Sequence, residues 1–120
     1  MVTGCLGFLG HHLSLKLKEH GFYVVGVDDM SNGTQEYCPI PDEFLLLKVG
    51  ELELKHLSGV KYIFHTAALP RVPFSIEFPE ETHDANVNQT LKLLLLARDA
   101  EVEKVIYSSS SSVYGGQTKL

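Results

Sequence analysis

Three glycines recur at every third position near the start of the chain, Gly4, Gly7 and Gly10 in VTGCLGFLG. Between a strand and a helix, such a run has a physical use. Gly4 permits a tight turn, Gly7 lets the backbone approach a pyrophosphate, and Gly10 lets the helix pack closely on the strand. The helix N-terminus then directs amide N–H groups at the anion. Glycines alone also make ordinary strand-to-helix turns, so the second feature carries weight. The stretch VVGVDD ends in Asp28 and Asp29. Asp28 lies about 20 residues beyond the glycines, the distance at which an acid meets adenosine ribose hydroxyls. No Lys or Arg falls between Cys5 and Leu9, or between Asp29 and Gly33, to receive a 2′-phosphate. Glycines and acid together predict a dinucleotide site that prefers NAD to NADP.

Other reactive residue types are weaker signals. The six histidines are scattered, and His11 and His12 are adjacent, a spacing that makes no metal pair, so no metal site is expected. His65 ends an apolar run and reads as a structural histidine. Cys5, within the glycine loop, reads as a small filler residue. The serine run Ser108 to Ser112 follows directly on an apolar stretch and is too short for a linker.

The elements that position these groups follow from periodicity. Leu9, Leu13, Leu15 and Leu17, with His12, Lys16 and Lys18 between them, predict a short amphipathic helix ending near Gly21. FYVVGVDD, EFLLLKV, VKYIFHTAA and EKVIYSSS each read as a strand, and the strands buried on both faces should be continuous apolar runs. Residues 30 to 43, with Asn32-Gly33, Pro39 and Pro41, read as loop. Ser75 to Ala100 has the spacing of one long helix. Strands alternating with helices imply right-handed βαβ crossovers and a parallel sheet.

Composition bounds the rest. At 120 residues, 44% hydrophobic and 21% charged, the chain is expected to be one globular domain, 1–120. A formal charge of −5 argues against a nucleic-acid surface, and no apolar run reaches the length of a membrane span. Two cysteines, Cys5 and Cys38, form no disulfide framework, which predicts a reducing, cytoplasmic setting.

Four segments in order, VTGCLGFLGHHL, VVGVDDMSNG, FHTAALPRVPFSIEFPEETHDANVNQTLKLL and VIYSSSSSVYG, resemble the extended short-chain dehydrogenase/reductase family. Within it the chain is most similar to NAD-dependent nucleotide-sugar epimerases and dehydratases of the UDP-glucose 4-epimerase type. The resemblance implies a Rossmann-like three-layer sandwich with strand order 3-2-1-4-5. It implies that the loop from Gly4 through Gly7, Phe8 and Leu9 to Gly10 holds the NAD pyrophosphate. Asp28, with Asp29 and Asn32 beside it, would bind the adenine-side ribose, and Glu51 and Leu52 would lie near the adenine. Thr66, Ala67 and Ala68 would line the cofactor, with Ser108 against the nicotinamide. Ser110 matches the serine that hydrogen-bonds the reacting sugar oxygen, and Asn86 matches an asparagine that supports the site. The chain departs from the family at Cys5 for a usual Gly, His11 for a usual Ser and Glu51 for a usual Asp. The segment from Gly50 to Gly59 is short, so its crossover helix is expected to shrink to a turn.

The implied reaction removes hydride from a sugar carbon while a Tyr, with a Lys four residues on, takes the hydroxyl proton. Tyr23, Tyr37, Tyr62, Tyr107 and Tyr114 are followed at that spacing by Val27, Pro41, Thr66, Ser111 and Thr118. None supplies the Lys. The resemblance therefore implies a chain cut at both ends, with Met1-Val2-Thr3 as a stunted central strand and the substrate-binding part absent. Two other readings remain open: a non-catalytic dinucleotide-binding module, and a family reductase acting on steroid- or flavonol-type substrates. Self-association is expected through the helix near 87–100. There Val87, Leu91, Leu94 and Leu95 would face the sheet, and Leu93, Leu96, Ala97 and Ala100 would form a second apolar strip for the partner copy.

Overall fold

The computed structural model describes residues 1–32 and 41–115; Gly33, Cys38 and Pro39 of the expected loop lie outside the described residues. The sheet is parallel, in the order β3-β2-β1-β4-β5. Its strands are β1 (Val2–Thr3), β2 (Val25–Asp28), β3 (Glu43–Leu46), β4 (Tyr62–His65) and β5 (Lys104–Tyr107). The expected order is the observed one. The central strand β1 is only two residues long, and it pairs on both sides: Val2 with Gly26 and Phe64, Thr3 with Val27 and His65.

The period-2 alternation of strand side chains divides the core into two layers. On one face Val2, Cys5, Leu6 and Val24 are buried, with Leu13 and Leu17 of helix α1 (Phe8–Glu19) packed on them. On the other face Val27, Ile63, Leu52 and Leu57 pack with Leu93 and Ala97 of helix α4 (Gln89–Asp99). Helix, sheet and helix make the three layers. The chain from β3 to β4 forms only two 3₁₀ turns, Val49–Glu51 and Leu54–Leu57, as its shortness implied. It is held down by α4, where the Gln89 side chain accepts from the Gly50 N–H at 3.0 Å and the Lys92 ammonium donates to the Gly50 carbonyl.

The single long helix expected over Ser75 to Ala100 is four pieces: α2 (Val72–Glu77), α3 (Pro79–His83), a π-helical turn (Asp84–Asn88) and α4. Pro79 makes the first break, because its ring pushes the preceding residue out of the helical region; Phe78 sits at φ −125°, ψ 65°. In the π turn the Gln89 N–H bonds the Asp84 carbonyl, five residues back. The two faces of α4 are also exchanged relative to expectation. Leu93 and Ala97 are buried against the sheet, with Leu96 and Ala100 packed beside them. Val87, Leu91, Leu94 and Leu95 point to solvent, Leu91 with 57% of its surface exposed.

A buried polar chain explains this phase. His65 stands in β4 between two hydroxyls, with Thr3 Oγ1 2.6 Å from Nδ1 and Thr90 Oγ1 2.9 Å from Nε2. Thr90 shares its helix face with Leu93 and Ala97, three and seven residues on. Turning Leu91 and Leu94 inward would carry Thr90 away from His65 and leave the ring's Nε2 unpaired, a cost of about 1–3 kcal/mol.

Two outcomes follow. A Cβ on Gly10 would stand 2.1 Å from the Gly4 carbonyl oxygen, whereas one on Gly21 meets nothing within 4 Å. Gly10→Ala should therefore cost at least about 2 kcal/mol by overpacking. Gly21→Ala should cost only the left-handed strain of its φ of +79°, about 1 kcal/mol, a contrast readable by chemical denaturation. Burial holds the His65 pKa below its ordinary 6.5. Below pH 6.5 the unfolded chain thus binds a proton that the folded chain refuses, and stability falls as pH drops from 6.5 toward the depressed native value. Thermal unfolding between pH 8 and 5 should show this loss, and His65→Gln should flatten it.

Candidate functional site

All the strands run parallel, so their C-terminal ends lie on one edge, and the order reverses between β1 and β4. A crevice at such a switch point is where open α/β sheets bind ligands. A cleft of about 630 Å³ opens there, lined by Gly4, Gly7, Asp28, Asp29, Asn32, Thr66, Ala67 and Ala68 of the residues singled out in the sequence.

The turn from β1 into α1 is built by crowding. Gly4 has φ +69°, and a Cβ on it would fall 2.7 Å from the Ala67 backbone nitrogen, so neither the conformation nor the space admits a side chain. The Gly4 N–H donates to the Val27 carbonyl at 2.7 Å and the Gly7 N–H to the Gly4 carbonyl at 3.0 Å. Phe8 and Leu9 begin α1 with exposed side chains, and the helix itself offers no acceptor for the amides of its first turn. Gly10 is buried beneath them. Cys5 is also buried, its sulfur facing Gly26 at the place where a Cβ would be 2.7 Å away.

Asp28 ends β2 beside this turn. Its Oδ2 accepts from the Leu6 N–H at 2.9 Å and its Oδ1 from the Met30 N–H at 2.8 Å. The carboxylate therefore ties the glycine turn to the end of β2, and each oxygen keeps a second lone pair toward the cleft. Asp29 is exposed and accepts from the Ser31 N–H and hydroxyl at 3.0 and 2.6 Å.

The opposite wall is the loop after β4. The Thr66 hydroxyl donates to the Thr3 carbonyl at 2.6 Å, and the Ala67 N–H donates to Thr3 Oγ1 at 3.4 Å. Asn86, on the π turn, clamps the peptide of Leu69: its Oδ1 accepts from Leu69 N–H at 2.8 Å and its Nδ2 donates to the Leu69 carbonyl at 3.0 Å. The side chain thus supports the wall and does not itself line the cleft.

Four of the residues lie elsewhere. The Glu51 carboxylate accepts from the Lys48 N–H at 2.8 Å and caps its own turn, and Leu52 is a core residue, 1% exposed. In their place Leu47 and Val49 line the β3 side of the cleft. Ser108 and Ser110 are exposed on the loop after β5; the Ser108 N–H donates to the His65 carbonyl, and Ser110 Oγ accepts from the Ser112 N–H. Among the described residues no three His, Cys, Asp or Glu side chains are grouped to hold a metal ion, and no helix is long and apolar enough to cross a membrane.

Several lining residues escaped the sequence reading. Lys48, Phe74, Glu80, Glu81, Asp84 and Gln89 all border the cleft. Asp84 accepts from Gln89 Nε2 at 2.9 Å and Asn88 Nδ2 at 3.1 Å, and these two bonds hold its carboxyl below the usual range. Nothing in the spacing of the acidic residues at 80, 81 and 84 pointed to a cleft.

A UDP-glucose 4-epimerase of Klebsiella pneumoniae is 31% identical over 131 residues, covering 100% of this chain and 94% of that protein. The bifunctional protein gal10 of Schizosaccharomyces pombe is 34% identical over 131 residues, 99% of this chain but 18% of its own length. The UDP-glucose-4-epimerase of Stenotrophomonas maltophila, solved with bound NAD and formylated UDP-arabinopyranose, superposes with a TM-score of 0.90 at 28% identity; the match covers 98% of this chain and 38% of that one. The chain thus spans well under half of the yeast protein and of the solved epimerase. The profile of the NAD dependent epimerase/dehydratase family matches residues 1–120, and the chain belongs to that family.

Proposed function

We propose that the chain is the NAD-binding portion of a nucleotide-sugar epimerase of the UDP-glucose 4-epimerase kind, or of a related dehydratase. The observation that carries this reading is the meeting of Asp28 with a glycine turn too crowded for a Cβ at Gly4 or Gly10, at the mouth of the cleft. Such a turn fits a pyrophosphate, since backbone can approach it and the first amides of α1 lie beside it. The remaining lone pairs of Asp28 fit two ribose hydroxyls, with Asp29 and Asn32 beside them, and its charge opposes a 2′-phosphate. Leu47 and Val49 supply an apolar wall for the adenine, with Glu51 and Leu52 behind it. Thr66, Ala67 and Ala68 line the middle, and Ser108 lies toward the nicotinamide end.

Bound NAD would supply a hydride acceptor. The chain's own part is to hold it, with Ser110 near the sugar oxygen and Asn86 supporting the wall. None of the five tyrosines has a Lys four residues on, so these 120 residues alone lack that base for the sugar hydroxyl. The second reading is a dinucleotide-binding module without catalysis. A cytoplasmic setting suits either.

The exposed face of Val87, Leu91, Leu94 and Leu95 is a contiguous apolar strip on a helix whose other face already serves the core. We assign it to contact with a second copy of the chain, in an isologous dimer.

Calorimetric titration should find NAD bound more tightly than NADP. Asp28→Ala should weaken NAD by about tenfold or more and narrow the preference, and the unmutated chain should not interconvert UDP-glucose and UDP-galactose. Equal affinities for the two cofactors contradict the site. Light scattering should find association that Leu91→Glu with Leu95→Glu abolishes; a chain monomeric at high concentration contradicts the dimer.

A further inference from the structure

The two hydroxyls around His65, on buried Thr3 and half-buried Thr90, do not line the cleft, yet they connect to both ends of the loop that does, Thr3 directly to Ala67 and Thr90 through Asn86 to Leu69. Counting protons decides how it is wired. Thr90 has one hydroxyl proton, and Thr90 Oγ1 lies 2.9 Å from the Asn86 carbonyl oxygen, which can only accept. With that proton committed, Thr90 must accept from His65, so Nε2 carries the ring proton. Nδ1 is then an acceptor, and the Thr3 hydroxyl donates to it at 2.6 Å. Thr3 Oγ1 keeps its lone pairs for the Ala67 N–H. Every donor finds an acceptor. The opposite tautomer takes the Thr90 proton from the Asn86 carbonyl and strands the Thr3 proton.

We propose that His65 is a positioning residue for the cofactor-lining loop, fixed as the Nε2-protonated neutral tautomer. Its Nδ1 orients the Thr3 hydroxyl that receives Ala67. Its Nε2 orients Thr90, which holds the carbonyl of Asn86, whose side chain clamps Leu69. Thr66 to Leu69 is thereby tied at both ends to one buried ring, itself packed against Tyr107 at a centroid distance of 5.6 Å. Burial, which disfavours the imidazolium, acts in the same direction. The link to NAD affinity rests on the cofactor reading above; the wiring of the loop does not.

The test uses the ¹⁵N-labelled chain with Thr90→Val and Thr3→Val, near-isosteres that delete one hydroxyl each, and His65→Gln to assign the ring signals. Long-range ¹H–¹⁵N correlation should show a pyrrole-type Nε2 and a pyridine-type Nδ1 for His65; the reverse pattern overturns the proposal. Amide exchange at Ala67 and Leu69 should quicken by about tenfold in both Val variants, the loss of roughly one hydrogen bond. The glycine loop amide of Gly7 should keep its rate. Unchanged exchange at Ala67 and Leu69 in variants that remain folded by circular dichroism overturns it. NAD titration should show both variants weakened in parallel with the exchange. If the tautomer and exchange results hold while the unmutated chain binds no NAD, the wiring stands and the cofactor reading fails. Should a Val variant not fold, the unmutated ring tautomer still decides.

Discussion

The close approach of the β1–α1 turn to the start of the β4 loop governs this molecule. Gly4 has no space for a side chain against the Ala67 backbone, and Gly10 has none against Gly4. That double contact brings α1 down onto the sheet and sets the cleft where the strand order reverses. It also makes a two-residue central strand sufficient as a partner to both neighbours. Val2 and Thr3 are fully buried, and the turn beyond them continues the pairing through Gly4 N–H to Val27 and Thr66 N–H to Thr3. The chain gains sheet continuity from a loop that cannot move aside.

Polar groups then do structural and site work together. Asp28 ties the glycine turn to β2 through Leu6 and Met30, and its remaining lone pairs define one end of the cleft. Asn86 fixes Leu69 at the other end. Both walls are therefore positioned by side-chain bonds to backbone, which hold a loop without covering it with apolar bulk. This is how a surface can remain open and still be ordered.

Much of this was legible in the sequence. The parallel sheet and the crowded turn at the glycines followed from continuous apolar runs and from the spacing of small residues, because both are local and periodic; the strand order came from the family resemblance. The phase of α4 was not legible. Its inward face reads Asn86, Thr90, Leu93, Leu96, Ala97 and Ala100, two polar and two small residues with two Leu, while the outward face carries Val87, Leu91, Leu94 and Leu95. Counting apolar residues selects the wrong face, since the deciding bonds run to His65 and Leu69, far off in sequence. The π turn compounds this, because one extra residue rotates any spacing counted across Val87 by about 100°. The connection after β3 was also not legible in detail: its shortness makes Glu51 a cap and Leu52 a core residue, and leaves Leu47 and Val49 at the cleft.

The central claim is that this cleft holds NAD between the glycine turn and the loop after β4. Amide chemical-shift mapping on addition of NAD tests it most directly. The largest shifts should fall at Gly4, Leu6, Gly7, Met30, Ala67 and Ala68, on both walls at once. Shifts confined to the opposite edge of the sheet, near Leu54 to Gly59 and Ala100, or no shifts at saturating NAD, would contradict it.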